Sequence, residues 1–303
     1  MKIAMIGLGD IAEKAYLPVL SAQPGLDLHL CTRNEQTLRR LEEAHRVAGG
    51  YTSVEEVIKA GVDAAFVHAA TEAHPEIVEP LLRAGVHVYV DKPVAYTLEE
   101  TSRLVRLAAA ERVSLMVGFN RRHAPGYAGM LDLSRHLVLM QKNRPVMPDT
   151  PRRAVFDDFI HVVDTLRFLA PGPVTETRIR TRMRDGLVEH LVLELAGEGF
   201  MAHGVMNRVG AASEESLEVL GEGVKRRVVN LGDVVDYGPA GETLTRRPDW
   251  VPVSRQRGIE QVTMAFIDAV RAGEVLGAQD ALATHEVCEE IVAACERQAA
   301  LVS

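Results

Sequence analysis

The chain has 303 residues, 47% hydrophobic and 25% charged, the mixture of a folded globular protein rather than a disordered one. That length predicts two domains, or one large one. A net charge of −8 and an aromatic content of 5% exclude the basic, base-stacking face of a nucleic-acid binder.

No apolar run approaches the ~18 residues needed to span a bilayer, and the opening "MKIAMIGLGD" is not a secretory signal. A cytoplasmic protein with no membrane partner is expected. Cys31, Cys288 and Cys295 show no CxxC spacing and read as reduced thiols. The last two lie two helical turns apart among apolar neighbours, which predicts small buried hydrophobes rather than metal ligands.

In chain order, "KIAMIG" is a fully apolar strand, as expected of a parallel strand covered on both faces. A helix through "DIAEKAYLPVLSA" follows, then the strand "LDLHLCT" and the helix "NEQTLRRLEEAH". Ser53 and Glu56 form a capping box, and Gly61 stops that helix. "VDAAFVHAA" and "VHVYVDKP" are strands flanking the helix "HPEIVEPLLRAG", which has Pro75 in its first turn and Gly85 as its stop. Thr97 and Glu100 cap another helix, and "SLMVGFN" closes the series. Such alternation predicts an α/β domain, a doubly wound parallel sheet over residues 1–120.

From residue 121 the character changes. "QKNRPVMPDTPRR" reads as a strand end and a loop, and "VFDDFIHVVDTLRFL" as a helix. Short alternating runs from Val174 to about Gly241 predict consecutive, mostly antiparallel strands, and two helical patterns finish the chain. Residues 121–303 are therefore expected to form an α+β domain.

Two stretches carry chemistry. "GLGDIA" lies between a strand and a helix. Gly7 permits the tight turn, Gly9 lets the backbone approach a pyrophosphate, and Ala12 takes the place of a third glycine. Leu8, Asp10 and Ile11 complete the loop. The second strand ends with Thr32 and Arg33 where an NAD site would have a carboxylate. A hydroxyl and a guanidinium suit a 2′-phosphate, so NADP(H) is preferred, with NAD(H) possible. In the helix "VFDDFIHVVDTLRFL", Asp157, His161 and Asp164 fall within an arc of roughly 60°. That stripe is either the solvated side of an amphipathic helix or the wall of a cleft.

"VHVYVDKP" places Asp91 and Lys92 at the carboxyl edge of the parallel sheet, where ligands bind. With "GLGDIA", "GFNRR" and the Asp-x-x-x-His-x-x-Asp pattern of "DDFIHVVD", the sequence closely resembles the Gfo/Idh/MocA family, the relatives of glucose–fructose oxidoreductase and inositol dehydrogenase. The resemblance spans essentially the whole chain. It implies a Rossmann domain carrying the coenzyme, a second domain with a large, mostly antiparallel sheet, and a sugar- or polyol-like substrate between them.

By that resemblance Lys92 is the lysine beside the nicotinamide and the reacting oxygen, and Asp157 and His161 line the cleft. Imidazole, with an ordinary pKa of ~6.5, suits proton exchange with a hydroxyl. The aspartate fixes its tautomer, the lysine polarises the oxygen, and no metal is required. Coenzyme contacts are also expected from Ala69, Thr71, His74, Asp91 and Asn120. Arg121, Lys142, Asn143, Arg144 and Asp164 are candidate substrate contacts. Lys142 and Arg144 alternate with Asn143, so either the cations or the amide would face the cleft. Asp158 reads as part of the solvated face, while Asp164 reads as orienting its neighbours.

The sequence departs from the family pattern in four ways. Asp91 is shorter than the usual glutamate, Ala69 and Ala70 replace Thr-Pro, Phe159 replaces a small residue, and the chain is short. The resulting expectation is an NAD(P)-dependent oxidoreductase that forms a homodimer or homotetramer through its second sheet. A non-catalytic NADP(H)-binding sensor and an NAD-dependent glycoside-cleaving enzyme are the competing readings.

Overall fold

The computed structural model describes residues 1–302. The chain divides into two compact units, Met1–Phe119 with Ile259–Ala283, and Asn120–Gly258 with the segment from Thr284 onward.

The first unit is built on six parallel strands: β1 (Lys2–Ile6), β2 (Asp27–Cys31), β3 (Gly49–Tyr51), β4 (Ala64–Val67), β5 (His87–Val90) and β6 (Leu115–Val117). Their order, β3-β2-β1-β4-β5-β6, is that of a doubly wound sheet, with the chain reversing between β1 and β4. The central strands are apolar because both faces are covered, and Ile3, Met5, Phe66 and Tyr89 are fully buried. The β3 strand, "GGY", is too short to show periodicity in the sequence.

The helix caps follow their chemistry. Glu56 N–H donates to Ser53 Oγ at 3.2 Å while the Glu56 carboxylate accepts from Ser53 N–H at the same distance. Thr97 accepts likewise from Glu100 N–H.

The helix Ile259–Arg271 belongs to the first unit, whereas the sequence predicts a second domain running unbroken from 121 to 303. Ile259, Val262, Phe266 and Ile267 share a core with Ile3, Met5, Tyr16, Phe66 and Tyr89. Phe266 meets Phe66 edge to face, with centroids 5.2 Å apart. The chain thus returns to the first unit after leaving it, a crossing that local patterning does not encode.

The second unit carries an eight-stranded sheet. Its strands are β7 (Leu137–Pro145), β8 (Glu176–Arg184), β9 (Leu187–Gly197), β10 (Phe200–Gly210), β11 (Glu214–Gly221), β12 (Val224–Val229), β13 (Asp233–Gly238) and β14 (Gly241–Thr245). Their order is β14-β13-β12-β11-β7-β10-β9-β8. All neighbours are antiparallel except β7 and β10. The earliest strand is therefore central, flanked by two that come later. The β14 strand lies beyond the sequence-defined run.

Against one face of β7, β9 and β10 packs the helix Ile160–Leu169. Gly204 in β10 makes this possible, since a Cβ there would overlap the Val162 side chain and crowd Leu166. Cys288 and Cys295 are buried free thiols, as expected. Burial raises the Cys295 thiol to about 11, which keeps it protonated and unreactive.

Candidate active site

In the first unit a groove of about 600 Å³ opens at the carboxyl ends of β1, β2 and β4. Gly7, Leu8 and Gly9 form its floor, Thr32 and Arg33 one wall, and Ala69 the other. Gly7 has φ +86°, and a Cβ there would run into the backbone of His68 and Ala69. Glycine is therefore required by both conformation and space. A Cβ on Gly9 would meet nothing within 4 Å, so this backbone is open on its ligand side. Asp10 opens the following helix and pairs with Lys14 one turn on, and Ile11 is exposed beside it. Ala12 is fully buried where a larger side chain would push helix from strand.

At the far wall, Asn34 caps the helix Glu35–Ala44 by accepting from Thr37 N–H at 3.0 Å. Asn34 N–H donates weakly to Thr32 Oγ1 at 3.4 Å. Arg33 is exposed and makes no ion pair among the described residues. A coenzyme fits these features: an open glycine backbone at a helix N-terminus for the pyrophosphate, and a hydroxyl with an available guanidinium where the adenosine ribose would lie.

Asp91 and Lys92 follow β5, and Asp91 Oδ1 accepts from Lys92 N–H at 2.9 Å. The Lys92–Pro93 peptide is cis. His74 is buried, with Nδ1 2.9 Å from Pro93 O and Nε2 3.0 Å from Ala69 O. Burial lowers its pKa despite these acceptors, so the neutral ring donates to one of the two carbonyls. The His74 ring is thus a clamp between Ala69 and the turn after Lys92, not a lining group of the groove. Thr71 lies in the short 3-10 turn that leads into the His74 helix.

Sequence reading missed the polar stack behind this edge. Tyr16 and Tyr89 share a hydrogen bond of 2.9 Å, and the His68 ring lies 4.1 Å from Tyr16. His68 Nδ1 stands 4.0 Å from Asp91 Oδ2, an electrostatic contact rather than a hydrogen bond. Burial alone would raise the Asp91 carboxyl, but His68 and Lys92 outweigh it and lower its pKa. The signal was the polar ending of the apolar strand "AAFVH".

In the second unit the chain from Pro151 to Leu169 is helical, but Ala154–Phe159 forms a π-helical segment rather than the uniform α-helix expected. Such wide turns redistribute side chains around the axis and recur at functional sites. Between Ala154 and Leu166, Asp157 and His161 are the two residues that are not buried. Asp164 has left the stripe. It is 1% exposed and accepts from Arg122 at 2.5 and 2.9 Å and from the Thr284 hydroxyl at 3.2 Å.

Asp158 overturns its expected solvated place. It is buried and accepts from Arg144 at 2.7 and 2.8 Å and from Arg208 at 2.9 Å. Lys142 Nζ stands 3.5 Å from it and 3.1 Å from Glu215. Arg121 grips Glu215 at 2.7 and 2.8 Å, and the Tyr127 hydroxyl adds a third bond at 3.0 Å. Of the alternation in β7, it is Lys142 and Arg144 that turn to the helix-covered face. Asn143 turns away, donating to Glu214 and accepting from Asn207 N–H. Burial would raise Glu215, yet Arg121 and Lys142 hold it well below the usual carboxylate range. Asn120 Nδ2 donates to Arg257 O at 2.7 Å, tying the start of this unit to its last loop.

Residues 1–119 match the family model described as an oxidoreductase family with an NAD-binding Rossmann fold. YceM of Salmonella typhimurium, named as an oxidoreductase, is 32% identical over 304 residues, covering 95% of this chain and 96% of that one. A Gfo/Idh/MocA family oxidoreductase from Vibrio cholerae superposes with a TM-score of 0.93 at 31% identity, covering 99% of both chains. A myo-inositol dehydrogenase of Streptomyces leeuwenhoekii is 34% identical over 188 residues, 58% of each chain. The glycine-lined groove in the first unit is that of an NAD(P)-binding oxidoreductase. The chain belongs to the Gfo/Idh/MocA oxidoreductase family.

Proposed function

We propose that the protein is an NADP(H)-preferring dehydrogenase or reductase acting on a hydroxyl or carbonyl carbon of a sugar- or polyol-like molecule. The observation that carries this reading is the exposure pattern of the Pro151–Leu169 helix. Eight apolar residues from Val155 to Leu169 are fully buried, while the two unburied positions from Ala154 to Leu166 are an acid and an imidazole one turn apart. A wet surface helix would be polar over a broad arc. This one keeps only the pair that proton transfer requires.

The coenzyme supplies hydride exchange when bound. His161 takes the proton from the substrate hydroxyl, or returns it to the carbonyl. Asp157 orients the ring and favours its cationic form. Lys92 donates to the same oxygen as charge develops on it. Gly7, Leu8 and Gly9 hold the pyrophosphate with the helix opened by Asp10 and Ile11, and Thr32 and Arg33 take the 2′-phosphate. Myo-inositol dehydrogenase activity in a relative supports the substrate class. Assembly through the outer face of the eight-stranded sheet completes the reading, since Leu139, Met201 and Val205 stand exposed there.

The deciding experiment incubates the protein with NADP⁺ or NADPH and a panel of polyols, aldoses, ketoses and sugar acids, following nicotinamide absorbance. Turnover that survives in wild type and disappears in His161→Ala supports the reading. No turnover across the panel in either direction, with NADPH binding intact, overturns it in favour of a sensor.

A further inference from the structure

The cluster in the second unit carries more positive than negative charge. Arg121, Lys142, Arg144 and Arg208 converge on two carboxylates, Asp158 and Glu215, and find no other acid among the described residues. The side chains of Arg121, Lys142 and Arg208 are 6%, 7% and 4% exposed, whereas Arg144 is 35% exposed. Buried cations are ordinarily matched by anions, because unpaired charge in a low-dielectric interior is costly. Here two positive charges are left over. They cannot be offset within the cluster.

Arg144 is where that excess meets solvent. Its Nε and Nη2 are engaged by Asp158, and Nη1 has no hydrogen-bond partner among the described residues. Asp158, which it holds, is the immediate neighbour of Asp157 on the π-helical segment. An exposed guanidinium edge backed by surplus charge suits an oxyanion, which accepts from it by charge-assisted bonds. A neutral polyol calls for hydroxyls and amides, not four cations.

We propose that the substrate carries an oxyanion, a carboxylate or a phosphate, and that Arg144 binds it at the open edge of the cluster. This rests on the oxidoreductase reading above for the word substrate, but not for the binding site. The lowered pKa of Lys142, caused by burial first and by Arg121 next, agrees with an ammonium that its two acids do not fully compensate.

Calorimetry on the full chain with NADPH present tests it, using myo-inositol, gluconate and glucose 6-phosphate, with inorganic sulfate as competitor. The expected result is that at least one anionic compound binds about ten- to a hundredfold more tightly than the neutral one. Arg144→Gln removes that preference, and Arg144→Lys restores part of it. Should R144Q fail to fold, displacement of the anionic compound from wild type by sulfate decides in favour, and resistance to sulfate decides against. Equal binding of neutral and anionic compounds overturns the proposal, as does a preference unchanged in R144Q. Sulfate binding without any preference among the polyols marks an adventitious ion only and also overturns it. Turnover of neutral polyols unaffected by R144Q defeats this inference and leaves the oxidoreductase reading standing. Anion preference without turnover of any compound does the reverse.

Discussion

Arg144 on β7 grips Asp158 through two hydrogen bonds, 2.7 and 2.8 Å, and so locks the residue beside Asp157 into the sheet. The π-helical segment turns one of two consecutive aspartates inward and leaves the other half-exposed with His161. Removing the inward anchor tests that division of labour. Asp158→Asn leaves Arg144, Arg208 and Lys142 facing a neutral amide. Breaking a buried pair in this way costs about 3–5 kcal/mol. Chemical denaturation should show a loss of that size, while Asp157→Asn, at a half-exposed position, should change stability by under ~1 kcal/mol.

The same carboxylates give a pH dependence of known sign. Burial alone would raise Asp158 and Glu215, but the cations around them lower both. A carboxylate depressed on folding contributes stability above its unfolded value of ~4 and loses it as pH falls through the folded value. Stability carried by this cluster is therefore complete at neutral pH and falls away below about pH 4. Lys142 acts oppositely, because burial lowers its pKa and its charged form is the disfavoured one in the fold. Urea unfolding of wild type and Glu215→Gln between neutral pH and pH 3 should give curves that converge in acid. Parallel curves would show that Glu215 carries no such linkage.

Much of the first unit was legible because each helix and strand announces itself locally, through a capping box at Ser53, a cap at Thr97 and a glycine stop at Gly85. Gly7, Gly9 and Ala12 were legible for the same reason: a tight turn beside a helix leaves few residue types. What local patterning could not show was partnership at long range. Nothing in "GIEQVTMAFIDAVRAG" says that Phe266 packs on Phe66, some two hundred residues earlier. Nor does "DD" reveal which aspartate is buried, since a π-helical segment shifts the 100° step on which such readings rest. His68, Tyr16 and Tyr89 look like core residues singly and become a polar stack only when two strands and a helix are assembled.

The proposed preference for NADPH rests on Thr32 and Arg33 and can be tested at both. Arg33→Ala removes a charge-assisted bond to a 2′-phosphate worth about 1.5–3 kcal/mol, so NADPH affinity should fall roughly ten- to a hundredfold with NADH affinity little changed. Thr32→Asp should go further by repelling the phosphate. Fluorescence titration with both coenzymes reads the two effects, and equal losses for NADPH and NADH in R33A would remove the 2′-phosphate assignment.

Gly204 bears on the site through packing alone. A Cβ there would overlap Val162 and crowd Leu166, one turn beyond His161 on the same helix. Gly204→Ala forces the helix off β10 and should destabilise by about 1–3 kcal/mol, the usual range for overpacking. The displaced helix also carries His161, whose carbonyl accepts from the Thr165 hydroxyl at 2.7 Å. Turnover should therefore fall well below the level set by the unfolded fraction.

A substitution at Lys92 tests the proposed chemistry separately from coenzyme binding. It lies after β5, bonded through its backbone to Asp91, and the turn that holds it is clamped by His74 at Pro93. Lys92→Met keeps the length and apolar stem but removes the charge proposed to stabilise a developing alkoxide. Loss of one such positioned donor lowers turnover by about 10²–10³. Since Lys92 is absent from the lining of the groove, NADPH affinity should stay within about threefold of wild type, a difference of under ~1 kcal/mol. Steady-state rates and coenzyme titration on the same preparation check both halves, and a variant retaining full turnover would remove Lys92 from the reaction.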